Sequence, residues 1–128
     1  MRPRKIQFII PLVLVLCLVA CASFLKTSYV TLNESKDLYT LAMTTVADLQ
    51  NKGLINQATR SKINAYAKDF KEAHNLAVAA LETYKKTSLA ADKDKVITAI
   101  ATAASKWAQV AALINAVKPG SVQATFTK

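Results

Sequence analysis

The sequence predicts an all-α fold, a small up-down-up three-helix bundle behind an N-terminal signal or lipid anchor. Three observations carry this expectation. Apolar residues recur at alternating three- and four-residue steps, the period of one helix face. Short breaks at 53–56 and 87–92 separate the periodic segments, which favours antiparallel neighbours. No strand-like alternation occurs, and the 128 residues hold only two Gly and three Pro, few for a turn-rich β chain.

The bundle is expected over 31–118, with helices at about 32–52, 57–86 and 93–117. Thr31 followed three residues later by Glu34 forms a capping box that opens the first helix. Leu38, Ala42, Thr45/Val46 and Leu49 then share a face, and Gly53 supplies a left-handed stop. Asn56 is the N-cap expected for the second helix. Its seam is Ile63, Ala67, Phe70, His74, Ala77, Leu81 and Tyr84, and Lys85 and Lys86 suit the negative end of its dipole. Ser88 and Asp92 are cap candidates in the second break, which lacks Gly and Pro and reads equally as a loop or as continuous helix. The third seam is Val96, Ile100, Ala103, Trp107, Val110, Ile114 and Val117, stopped by Pro119-Gly120. Residues 119–128 read as a polar tail, frayed at its end.

Composition narrows the classes. The length suits one domain, and 52% hydrophobic residues exclude a wholly disordered chain. Two Cys exclude a disulfide scaffold and a Cys-only zinc site. The formal charge is +9, carried mostly by Lys rather than by the Arg that favours bidentate phosphate or base recognition. Nucleic acid is therefore not an expected partner. A solvated lysine surface, or diffuse attraction to anionic head groups and envelope polymers, fits better.

The first 25 residues differ from the rest. A basic head, Met1-Arg2-Pro3-Arg4-Lys5, precedes an apolar run of 13 residues from Phe8 to Ala20. That is the order of a secretory signal. An uncleaved anchor is the competing reading, because the uncharged stretch from Ile6 to Leu25 is 20 residues, just enough to span a bilayer. The run ends in Leu18-Val19-Ala20-Cys21, which resembles the lipobox of bacterial lipoproteins. The resemblance covers residues 1–21 only, and Val19 is a less common choice at its position. It implies cleavage before Cys21, with 1–20 as signal peptide, Cys21 as the lipidated residue carrying diacylglycerol and an acyl chain of the palmitate type, and 21–30 as a lipidated tether. In that tether Phe24 and Tyr29 suit either the membrane surface or the bundle. Ala22 in place of Asp resembles the sorting pattern of lipoproteins sent to the outer membrane, facing the periplasm. The covalent lipid is the only non-protein group implied, and the membrane is the implied partner.

Chemistry is sparse. His74 is the only histidine and falls in the apolar seam, so it reads as a core-edge residue hydrogen-bonded in place rather than a catalytic base or ligand. Asp92-Lys93-Asp94-Lys95 lacks the glycine turn and ligand number of a calcium loop. No phosphate loop, nucleophile elbow or zinc-helix motif occurs. The third helix carries one charge, Lys106, between Val96 and Val117. Its weakly polar face of Thr98, Thr102, Ser105 and Gln109 reads as solvated, or as a contact for another copy or a partner. A second membrane span would strand Lys106 in mid-bilayer. The expected function is contact-making at the envelope and not catalysis. Two alternatives stand beside it: a prophage-type or accessory envelope lipoprotein of lysis or exclusion, and a small-molecule binder or hydrolase with a pocket near His74.

Overall fold

The computed structural model describes the backbone from Arg2 to Phe126 and the side chains from Ala22 to Phe126. It holds three helices, α1 (Arg2–Asn51), α2 (Gln57–Thr87) and α3 (Ala90–Val117), with no strand among the described residues. The chain is an all-α three-helix bundle in which α2 and α3 make the closest backbone approach. Buried Ala73, Ala77, Ala103 and Ala111 offer little bulk to hold those two helices apart.

Helix α1 corrects the expected boundary at residue 31. The stretch 22–30 is not a separate tether but a continuous part of α1, and Thr31 lies inside the helix rather than capping it. The reason is a seam longer than its apolar residues advertise. Ser28, Leu32, Ser35, Ala42, Val46 and Leu49 are all buried, in seven-residue phase with half-buried Tyr39. Two of these positions are serines. Ser35 fits because its Oγ donates to the Leu32 carbonyl at 2.7 Å, so the buried hydroxyl is satisfied within its own helix. Nearer the start of the helix, Phe24 meets Tyr84 edge to face, with centroids 5.4 Å apart, which draws the expected tether into the core.

The end of α1 follows the expected chemistry. Gly53 has φ 72°, and its N–H donates to the Gln50 carbonyl at 3.0 Å while Leu54 N–H reaches the Leu49 carbonyl at 2.9 Å. This pair of bonds is a Schellman motif closed by a left-handed glycine. Asn56 then caps α2, its side-chain oxygen accepting from Thr59 N–H at 2.8 Å. The second break is a loop of two residues, Ser88 and Leu89, so α3 begins at Ala90, three residues before its expected start. Ser88 adopts φ 54° and caps α2 through its own N–H to Tyr84. Asp92 lies in the first turn of α3 and accepts from Thr87 Oγ1 at 2.5 Å, fastening the two helices across the turn.

The α2 and α3 seams are nearly those expected. Buried α2 residues are Ile63, Ala67, Phe70, Ala73, Ala77, Leu81 and Tyr84, with His74 half-buried beside Ala73. On α3, Val96, Ala103, Trp107, Val110, Ala111 and Ile114 are buried, while Ile100 and Val117 are partly covered. Among the described residues α3 is the helix long and apolar enough to cross a membrane by length and composition. Here its seam fills the protein core.

The C-terminal tail is a second correction. Within 119–126 the expected polar, frayed segment buries Val122 and Phe126, at 6% and 5% exposure. Phe126 lies against Phe70 and Trp107, with centroids 6.0 and 6.5 Å away. Trp107 Nε1–H donates to the Gln123 carbonyl at 2.8 Å, and Asn115 both donates to and accepts from the Val122 backbone. The tail fills space that α1, packed less closely than α2 on α3, leaves beside the large aromatic residues.

Candidate functional site

The sequence-derived attachment site, Leu18-Val19-Ala20-Cys21, and the signal segment 1–20 lie outside the residues whose side chains are described. The surroundings begin at Ala22. Antiparallel packing of α1 on α2 shows in the order of their meeting points: Tyr39 with Phe70, Leu32 with His74, and Phe24 with Tyr84. The end of the bundle next to Cys21 is thus built from the residues of α1 that follow Cys21, the end of α2 and the start of α3.

Aromatic residues and lysines meet there. Lys93 Nζ lies 4.9 Å from the Phe24 ring centroid, and Lys85 Nζ 6.0 Å from that of Tyr29. Tyr29 OH donates to Glu82 Oε1 at 2.6 Å. That hydrogen bond, assisted by burial and by the carboxylate charge, raises the Tyr29 phenol above its ordinary value of 10.0. The contact occupies Glu82 and ties the Tyr29 turn of α1 to α2.

His74 sits where its seam position implies. Its Nε2 lies 3.0 Å from the Leu32 carbonyl, so this nitrogen carries the proton and donates across to α1. The bond satisfies the polar side of a half-buried imidazole, as expected for a structural histidine. Beside it runs an open groove of about 310 Å³ between α1 and α2, lined by Lys36, Tyr39, Thr40, Phe70, Lys71, His74 and Asn75. Its floor is the Tyr39–Phe70 ring stack, and its polar rim is basic and amide, without a carboxylate. Such a lining can hold an anion that has an apolar part. Thr40 Oγ1 is committed to the Lys36 carbonyl and His74 Nε2 to that of Leu32. Sequence reasoning placed His74 but missed Lys36, Lys71 and Asn75, because the groove exists only once two helices are paired in register.

A second cavity of about 400 Å³ lies between α1 and the tail, lined by Glu34, Asp37, Leu38, Leu41, Gln123 and Phe126. The face of Thr98, Thr102, Ser105 and Gln109 is exposed along α3, and Thr102 Oγ1 turns inward to the Thr98 carbonyl at 3.0 Å. Among the described residues no group of His, Cys, Asp and Glu is arranged to hold a metal ion. No family model matches the chain, and neither a curated protein nor a solved structure is significantly similar to it.

Proposed function

We propose that the chain is a lipid-anchored helical lipoprotein of a bacterial envelope, acting through protein or envelope contacts rather than catalysis. The observation that carries this reading is the basic head and the 13-residue apolar run ending in Leu18-Val19-Ala20-Cys21. Among the residues whose side chains are described, Phe24 already packs on the bundle three residues after Cys21, which supports it further, because a bundle with so little linker stays beside its point of attachment. Ala22 after the acylated residue favours the outer membrane, with the bundle facing the periplasm. The exposed Thr98/Thr102/Ser105/Gln109 face is the surface offered to a second copy or a partner.

The experiment is replacement of Cys21 with Ser in the full chain, expressed in a diderm bacterium. The expected outcome is loss of acylation and accumulation of the unprocessed precursor, read by intact mass. An unmodified Cys21 in wild-type protein extracted from membranes would refute the reading. The groove beside His74 favours a second reading, the binding of a small amphipathic anion. Binding of such an anion abolished by Lys36→Gln with Lys71→Gln would support it.

A further inference from the structure

The end of the bundle near Ala22 joins an exposed apolar turn to lysines from all three helices. The register of α1 on α2 runs through Leu32–His74, Tyr29–Glu82 and Phe24–Tyr84. Four to five residues further along both helices from the Phe24–Tyr84 contact, at equal rise per residue, the α2–α3 turn comes level with positions 19–20 of α1, about half a turn of helix or more beyond Ala22. The turn carries Leu89, a large apolar side chain that is 59% exposed at the tip of the hairpin. The helix segments that meet at this end carry Lys26, Lys85, Lys86, Lys93 and Lys95, contributed by all three helices. Lys93 lies against the ring of Phe24 and Lys85 near that of Tyr29. The carboxylates of the region are Glu82, Asp92 and Asp94. Glu82 is occupied by Tyr29, and Asp92 by Thr87 with Lys95 at 3.8 Å.

From this juxtaposition we infer that the α2–α3 turn is a membrane-seating surface: Leu89 enters the head-group layer of an anionic lipid bilayer while the surrounding lysines bind its phosphates. The inference rests on the anchoring reading above and adds the orientation of the bundle. A lipid on Cys21 puts the bilayer boundary beside Ala22, and an uncleaved apolar helix puts it near Leu25, so in either case the α2–α3 turn reaches the lipid surface. A chain held at that boundary keeps Leu89 and the lysines within about 10 Å of the lipid charge, the range over which physiological salt leaves it effective. Each lysine at an anionic surface favours the seated state by about fivefold. An apolar residue at the tip of a basic ring matches the order of the layers it meets, phosphate outside and acyl chain within.

The test uses the full chain reconstituted into vesicles of phosphatidylcholine with or without phosphatidylglycerol, with shallow-brominated lipid as a quencher. Trp107 is the only native tryptophan and lies about 27 Å along α3 from the turn, at about 1.5 Å per residue. Wild-type emission should therefore be insensitive to brominated lipid. Leu89→Trp adds a second emitter at the turn, and its added emission should be quenched in phosphatidylglycerol vesicles. Lys85→Gln with Lys86→Gln in that background should lower the seated fraction by about 25-fold, restoring emission while the protein still floats with the vesicles. Circular dichroism of each variant checks that the exposed substitutions leave the bundle folded. A Leu89→Trp chain that floats with the vesicles but shows no quenching of the added emission, or equal quenching without phosphatidylglycerol, overturns the seating surface alone. A chain that fails to float overturns the anchoring reading and this inference with it.

Discussion

His74 shows how one side chain can be polar and still belong to a core seam. Its ring rests at 5.9 Å from Phe70, centroid to centroid, and its Nε2–H ends on the Leu32 carbonyl. That carbonyl also accepts the Ser35 hydroxyl, so removal of the imidazole leaves it with a partner. A neutral hydrogen bond is worth about 0.5–1.5 kcal/mol net, and most of the loss arises when a buried group is left unsatisfied. His74→Leu is therefore expected to keep the fold and to change stability by no more than about 1 kcal/mol in thermal or denaturant unfolding. Under the proposed function, the same variant should retain whatever effect the chain has at the envelope. A folded, lipidated His74→Leu chain that had lost that effect would shift the functional centre to the groove beside the ring. Much of this is legible in sequence, because the phase of His74 between Phe70 and Ala77 already marks it as a seam residue. Its acceptor is not, because a backbone carbonyl 42 residues away leaves no trace in sequence.

At the scale of elements, α2 is legible almost residue by residue and α1 is not. The α2 signals are strong and local: an Asn cap, an unbroken apolar seam and a basic last turn. In α1 the seam passes through Ser28 and Ser35, whose burial depends on their neighbours rather than on their own hydropathy. The Thr31–Glu34 pattern offers a plausible start that tertiary packing overrides. The tail is hidden for a related reason. Phe126 lies two residues from the end of the chain, and its partners Phe70 and Trp107 come from other elements. Its burial makes the tail a structural element. Phe126→Ala should destabilise the protein by about 3 kcal/mol, the lower part of the range for truncating a buried Phe. Gln109→Ala, on the exposed face of α3, should stay within about 0.5 kcal/mol. Unfolding curves for the two variants that coincide with wild type would return the tail to the frayed state first expected of it.

The whole molecule is built around an uneven pairing. α2 and α3 share the most extensive packing, whereas α1 meets them over a smaller interface in which small Ser28, Ser35, Ala42 and Val46 alternate with contacts such as Phe24 on Tyr84 and Tyr39 on Phe70. Two core clusters result. One gathers Phe70, Trp107 and Phe126 with the later half of α1, and the other gathers Leu32, Leu81, Tyr84 and Val96 near the α2–α3 turn. α1 contributes to both clusters but makes the smaller share of the inter-helix packing. Local opening follows such boundaries, since segments with fewer packed neighbours separate at lower free energy than the hairpin they cover. Native-state hydrogen exchange should consequently find the amides of 32–49 in α1 less protected than those of 63–84 and 96–114. If the proposed membrane seating holds, the contrast should narrow in phosphatidylglycerol vesicles, where the residues of α1 just after Cys21 and the α2–α3 turn would be held at the same surface. Equal protection of all three helices in detergent would mean that α1 opens only with the entire bundle, and that the closeness of α2 to α3 has no energetic counterpart.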